Sequence, residues 1–299
     1  MFASTSGVVI TGSAGGVGYA YADEFLRAGL PVVISDVKDC GPAVAALKMK
    51  HPNSQIYSTQ CDVSNIDSVK ALGAFAQEKL GTIKYWINNA GVNGGRRALS
   101  EVPYEQVELV VRVNLLGLLF CTKVAMEILS AQPGVTSHIF ETVGSGVKGG
   151  GTPGYACYGA TKRGLPQLVD SLKAELGKKG VQGYTRTPTP GTIRVHTLSP
   201  GMVFTALLLE DSTPELRKFP FGVLAAQPEE VAEDLVPKIM SMGDNVEGGK
   251  VEFLTTDKIL KQFYKRFVKK EKSEYIDDDG NVIKMPGAQY DEMGVRSLY

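Results

Sequence analysis

An excess of either charge is missing from this chain: 32 Lys+Arg stand against 32 Asp+Glu in 299 residues, a formal net charge of zero. Without a global positive field to concentrate a polyanion, a nucleic-acid partner is not expected. Cysteine is scarce, and Cys40, Cys61, Cys121 and Cys157 lie far apart with no C-x-x-C pair. That excludes a zinc knuckle or a disulfide framework and fits a reducing compartment. The three histidines, His51, His138 and His196, lack metal-ligand spacing, so no metal site is expected. No run is read as approaching the ~18 apolar residues of a membrane span. The opening MFASTSGVVI enters an apolar strand without a basic or Ser-rich presequence, so a soluble or peripheral chain without a targeting segment is expected. What is present is 43% hydrophobic residues, 21% charged residues and 34 glycines. A chain of this size buries roughly 75% of its unfolded surface. The glycine content suits proteins that hold a nucleotide on tight turns.

The periodicity is ordered. A β-branched run over Val8–Thr11 leads into GSAGGVG, a helical pattern follows through Tyr21, Phe25 and Leu26, and a second strand begins at Val32. This is a βαβ unit. Further strands are expected at Gln55–Gln60, Tyr85–Asn88, His138–Glu141, Arg194–Leu198 and Lys250–Leu254. Helices are expected at Ile66–Leu80, Tyr104–Leu129, Tyr158–Leu176 and Pro228–Met242. Such alternation predicts an α/β, doubly wound fold with a mostly parallel central sheet covered by helices on both faces. One catalytic domain over 1–257 is expected, followed by an extension over 258–299 that starts as a basic amphipathic helix and continues as an irregular tail. The Gly-, Thr- and Pro-rich stretch Gly177–Thr192 reads as an irregular excursion.

Thr11-Gly12-Ser13-Ala14-Gly15-Gly16-Val17-Gly18 sits between the first strand and the first helix. Glycines at 12, 16 and 18 let the turn tighten, bring backbone N–H groups to a diphosphate and seat the helix on the sheet. Asp36 ends the second strand, where a carboxylate accepts from both ribose hydroxyls and repels a 2′-phosphate, favouring NADH over NADPH; nearby Lys38 works against that preference. Asp62-Val63 after the third strand either meets the adenine edge or caps the next turn. Tyr158 and Lys162, four apart, share a helix face, and an ammonium beside a phenol suits a general acid for carbonyl reduction. Ser145 lies thirteen residues upstream, beyond a strand's C-terminal end. Cys157 has no base of its own and reads as a small wall residue.

Taken in order, T-G-x-x-x-G-x-G at Thr11–Gly18, Asn88-Asn89-Ala90-Gly91, Asn114, Ser145, Tyr158-x-x-x-Lys162 and Pro200-Gly201 resemble the short-chain dehydrogenase/reductases over about residues 7–255. The resemblance implies a Rossmann-type domain and an NADPH or NADH cofactor. Tyr158 would donate or accept the proton, Ser145 would polarise the carbonyl, Lys162 would bind the nicotinamide ribose and tune Tyr158, and Asn114 would hold a water in the proton relay. Thr11, Gly12, Gly16, Val17, Gly18, Asp36, Asp62, Val63, Asn89, Ala90 and Gly91 would surround the cofactor with Tyr158 and Lys162. Pro200, Gly201 and Thr205 would line its nicotinamide side. Pairing through the helices containing Asn114 and Tyr158 would give a homodimer or homotetramer.

Longer strings, RVNLLGLLFCTKVAMEIL, YGATKRGLPQLVDSLKAEL, VHTLSPGMVFTALLL and PEEVAEDLVPKI with the tail YIDDDGNVIK, are similar to the chlorophyll(ide) b reductases of plants and algae. That resemblance implies reduction of the 7-formyl group of chlorophyll b or chlorophyllide b to hydroxymethyl, in the chloroplast. Phe204, Leu207, Leu208, Leu209, Phe219 and Phe221 offer an apolar entrance for a flat tetrapyrrole, or core for half of them. Ile259, Leu260, Phe263 and Phe267 make weak thylakoid-surface association an expectation. Two alternatives stay open: an NAD-linked dehydrogenase of another alcohol or ketone, and a noncatalytic nucleotide-binding assembly protein.

Overall fold

A computed structural model describes residues 6–144, 147, 149–177, 191–209, 211–283, 286–290 and 296–298. Seven strands form one sheet: β1 (Gly7–Thr11), β2 (Val32–Asp36), β3 (Ile56–Gln60), β4 (Ile83–Asn88), β5 (Thr136–Thr142), β6 (Thr192–Ser199) and β7 (Lys250–Glu252). Every pairing is parallel, in the order β3-β2-β1-β4-β5-β6-β7. Because both faces are covered, β1 and β2 read as continuous apolar runs rather than alternating ones. Val8 and Ile10 face a core shared with Tyr21, Phe25 and Leu235, while Val9 faces one shared with Leu72, Trp86 and Val124. The strand order reverses between β1 and β4, and the crevice above their C-terminal ends is where this architecture binds ligands.

The flanking helices are α1 (Gly16–Arg27), α2 (Gly41–Lys50), α3 (Ile66–Leu80), α4 (Tyr104–Ser130), α5 (Ala156–Arg163), α6 (Leu165–Leu176), α7 (Pro228–Met240) and α8 (Thr256–Phe263). Asn65 caps α3 through N–H groups of Asp67 and Ser68, and Gln227 with Glu230 forms a capping box on α7. The stretch expected as one helix from Tyr158 to Leu176 is two helices starting at Ala156, because Pro166 can enter only a first helical turn and so restarts the chain at Gly164. α2 escapes the periodicity because its buried stripe is only Ala43, Ala46 and Leu47.

α4 corrects one expectation. At 27 residues it is long and apolar enough by composition to cross a membrane, although charges interrupt every apolar run in it. One face packs Cys121, Val124, Ala125 and Leu129 beneath the sheet, whereas Leu115, Leu116 and Leu119 on the other are partly exposed. Within it, Arg112–Gly117 widens into a π-type turn.

The tail returns to the body. After α8 the helix loosens through Tyr264–Val268, and Ser273–Ile283 folds into a compact turn in which the Asp277 carboxylate accepts from the N–H groups of Asp279 and Asn281 and from the Asn281 side chain. Ile276 is buried among Phe204, Leu209 and Phe221, and Tyr275 lies 4.8 Å from the Phe204 ring. Arg217 Nε donates to the Gly280 carbonyl at 2.7 Å. Beyond it, Pro286–Tyr290 pairs antiparallel with Arg296–Leu298. Positions 178–190 of the expected excursion lie outside the described residues.

Candidate active site

The turn after β1 is fastened to the exit of β4. Thr11 Oγ1 accepts from the backbone N–H groups of Asn89 and Ala90, both at 3.1 Å, and Asn89 Nδ2 donates to the Gly12 carbonyl at 2.9 Å. Gly12 and Gly16 are left-handed, at φ 63° and 56°, where a side chain is strained. A Cβ on Gly12 would come within 2.7 Å of the Ala90 Cα, and one on Gly18 within 2.7 Å of Asn89 Nδ2. Gly15 offers α1 no side-chain cap and its first turn carries no acid, which leaves N–H groups directed into the crevice. That chemistry fits a diphosphate. Val17 is partly buried against the core beside this turn.

Asp36 is held by two backbone donors: Ala14 N–H to Oδ2 and Lys38 N–H to Oδ1, each at 3.1 Å. Its remaining lone pairs suit ribose hydroxyls. Asp62 serves the turn, its Oδ1 accepting from the Ser64 N–H and hydroxyl at 2.9 and 2.8 Å. Val63 is buried against Gly117, where a Cβ would come within 2.8 Å of it, so its side chain supports α4.

On the other side of the crevice, Asn114 sits in the wide turn of α4. Its Oδ1 accepts from the Val92 N–H at 2.9 Å and its Nδ2 donates to the Val92 carbonyl at 2.7 Å. Gly91 lies between side chains: a Cβ there would stand 3.2 Å from Asn114 Oδ1 and 3.7 Å from Lys162 Nζ. Lys162, buried on α5, donates to the Thr142 carbonyl at 2.8 Å. Its Nζ is 6.0 Å from the centre of the Tyr158 ring, and the Tyr158 hydroxyl lies against Gly144 at the exit of β5. Ser145 lies outside the described residues.

Burial pushes the Tyr158 phenol up to about 12, with Tyr155 adding to the effect. The phenol is therefore a stored proton at neutral pH rather than a phenolate, as an acid for carbonyl reduction requires. Burial also lowers the Lys162 ammonium to about 8, against a pull upward from Glu141.

The segment after β6 roofs this arrangement. Pro200 is buried, Gly201 turns at φ 74° against Leu254, and the Thr205 methyl faces Gly16. Asn93 Nδ2 donates to the Leu207 carbonyl, and the Arg96 N–H meets Asp211 Oδ2 at 3.4 Å. Of the six apolar residues expected at the entrance, Phe204, Leu209 and Phe221 are buried in the cluster under the tail, while Leu207 and Phe219 are exposed. Cys157 lines a shallow surface cleft with Asn93, Arg97 and Tyr155.

Sequence reasoning passed over two features. Glu141, beneath Lys162, is fully buried; its signal was a lone acid inside the apolar run HIFETV. The Arg96 stem lies against Gly154, which has no Cβ to block it, and nothing in the local pattern marks that contact.

A family model described as short chain dehydrogenase matches residues 6–215. The chain is 38% identical to chlorophyll(ide) b reductase NOL, chloroplastic, of Arabidopsis thaliana, over 91% of this chain and 77% of that one. It is 35% identical to the probable chlorophyll(ide) b reductase NYC1, chloroplastic, of Oryza sativa subsp. japonica, over 92% of this chain and 55% of that one. Among solved structures, a levodione reductase superposes with a TM-score of 0.72 at 23% identity, covering 85% and 98% of the two chains. A 3-ketoacyl-(acyl-carrier-protein) reductase from Brucella melitensis complexed with NADH gives 0.69 at 23% identity, covering 83% and 96%. Strand order, pinned glycine turn and sequence similarity agree: the chain belongs to the short-chain dehydrogenase family of NAD(P)-dependent oxidoreductases.

Proposed function

We propose that the protein reduces the 7-formyl group of chlorophyll b or chlorophyllide b to hydroxymethyl, using NADH or NADPH. The observation that carries the substrate is the 38% identity to a chlorophyll(ide) b reductase across nearly the whole chain. Thr11, Gly12, Gly16, Gly18, Asn89, Ala90 and Gly91 would hold the dinucleotide, with Asp36 on its adenosine ribose and Pro200, Gly201 and Thr205 beside its nicotinamide. When bound, the dinucleotide supplies the hydride. Tyr158 gives its proton to the carbonyl oxygen, Ser145 polarises that oxygen, and Lys162 binds the ribose and lowers the cost of the departing phenolic proton. Asn114, tied to Val92 on both amide atoms, holds the relay water that returns a proton from solvent.

The partner, location and assembly readings follow the same lines. The exposed apolar residues Leu115, Leu116 and Leu119 of α4 support a homodimer or homotetramer built on that helix. Exposed Leu260, Tyr264, Phe267 and Val268 on a segment rich in Lys support peripheral attachment to an anionic thylakoid surface. Location in the chloroplast is supported by the chloroplastic relatives. Asp36 also supports an NAD-linked dehydrogenase of another alcohol, whereas the grouping of Tyr158, Lys162 and Asn114 speaks against a noncatalytic assembly role.

The test is incubation with chlorophyllide b and either nucleotide, following the 7-hydroxymethyl product by chromatography. Product in wild type and none in Tyr158→Phe, with nucleotide affinity retained, is the expected result. No product from nucleotide-binding protein refutes the substrate assignment; unchanged turnover in Tyr158→Phe refutes the acid.

A further inference from the structure

Under the site lies a polar layer that the proposed chemistry does not use. Glu141 at the end of β5 is wholly buried. The Thr122 hydroxyl of α4 stands between two acceptors, Oε1 at 2.7 Å and the Leu118 carbonyl at 2.8 Å, and Asn88 Nδ2 of β4 donates to both carboxyl oxygens at 3.3 and 3.1 Å. Asn88 cannot turn round to offer its oxygen instead without losing the Trp86 Nε1 donor at 2.9 Å. Asn88 therefore turns its N–H groups to both carboxyl oxygens, which favours the ionised carboxyl. Lys162 is a buried cation whose one hydrogen bond among the described residues goes to the carbonyl of Thr142, the residue after Glu141. An ammonium with a single neutral acceptor in a dry site loses its proton unless a counter-charge is near.

We propose that Glu141 is this counter-charge: a positioning residue, acting through Lys162, that keeps the lysine an ammonium ion within the working pH range. The inference rests on the active-site reading above and adds a residue to it. Other ionisable groups around the pair are neutral near pH 8. Cys121 on α4 has its thiol pushed well up by burial, and Tyr158 stays a protonated phenol. Among the described residues, Glu141 is the carboxylate that raises Lys162, and Lys162 the cation that lowers Glu141. Burial moves each toward neutrality and the opposite charge of its neighbour works against that, leaving the carboxyl at about 7 and the ammonium at about 8, so both are charged together between those values. Deleting the negative charge leaves the ammonium with burial alone.

The test is a 13C NMR titration of the full-length protein carrying 13Cε-lysine, with Lys162 assigned by Lys162→Met. Glu141→Gln is expected to move the Lys162 midpoint down by about one pH unit or more. Thr122→Val keeps the carboxyl but removes the hydroxyl nearest to it, making the charge harder to hold; it is expected to move the midpoint the same way by less. The alkaline fall in NADH or NADPH affinity should shift with it. A Lys162 midpoint unchanged in Glu141→Gln, even with a lowered melting temperature, overturns the proposal and leaves Glu141 a packing residue. If Glu141→Gln does not fold, an unchanged midpoint in Thr122→Val overturns it. Because the titration needs neither nucleotide nor pigment, a shifted midpoint in a protein inactive on chlorophyllide b would sink the substrate reading alone.

Discussion

Mild acid should destabilise this protein through two histidines remote from the site. His138 on β5 and His196 on β6 are adjacent and fully buried, with Nδ1 of the first 2.9 Å from Nε2 of the second. The Gly249 N–H donates to His196 Nδ1 at 3.1 Å, so the His196 proton must sit on Nε2 and point at His138 Nδ1. His138 then carries its own proton on Nε2, facing Asp244 Oδ1 at 3.5 Å, which is long for a hydrogen bond. An added proton on either ring sets two donors against each other. Burial, reinforced by His138 and Arg194, accordingly holds His196 down to about 3, and burial lowers His138 despite Asp244. In the unfolded chain both titrate near 6.5. The stability from keeping them neutral is complete above that value and is lost as pH falls toward the folded value. At pH 5 the loss is about 2 kcal/mol from His196, and less from His138 because Asp244 offsets part of it. Urea unfolding of wild type at pH 7.5 and pH 5, beside the double variant His138→Phe, His196→Leu, measures the difference. The variant is less stable at pH 7.5 but should lose at least about 2 kcal/mol less on acidification. Equal losses in both proteins refute the fixed-tautomer argument.

Other perturbations test separate parts of the molecule. Asp36→Ala should weaken NADH and strengthen NADPH binding relative to it, changing the ratio of their dissociation constants by about tenfold or more; an unchanged ratio removes Asp36 from the ribose. Phe267→Glu should abolish low-salt sedimentation with vesicles containing anionic lipid and leave turnover of dispersed chlorophyllide b intact; retained sedimentation places the attachment elsewhere. Ile276→Ala deletes a side chain buried among Phe204, Leu209 and Phe221, with an expected cost of about 2–4 kcal/mol. A change under 1 kcal/mol in urea unfolding would mean that the tail contributes little to the fold.

The parts of the fold that were legible are those whose cause is local. Val8–Thr11 and Val32–Asp36 announce a doubly covered sheet because burial on both faces leaves no polar alternation to hide it. Gly12, Gly16 and Gly18 are legible because a turn this tight tolerates little else. Long-range causes stayed hidden. Asp36 could be placed at a strand end, but not its two backbone donors; Lys162 could be placed beside Tyr158, but not on the Thr142 carbonyl. Thr11 was read as one end of a motif, whereas its hydroxyl joins β1 to β4. The tail looked irregular because its order comes from Phe204, Arg217 and Phe221, far away in the chain.

That tail also sets an order of events in the making of the protein. Thr11, Asn89, Asn114, Tyr158 and Lys162 are translated before β6, and all of β1–β7 before residue 253. The segment from Phe204 to Phe221, by contrast, acquires Tyr275, Ile276 and Gly280 only after β7 and α8 have been made. A nascent or clipped chain ending before Ser273 thus retains the residues of the nucleotide crevice while one wall of the entrance lacks its backing. The residues that would hold the nucleotide are written into the early part of the chain, and the backing of the segment after β6 comes from a later one.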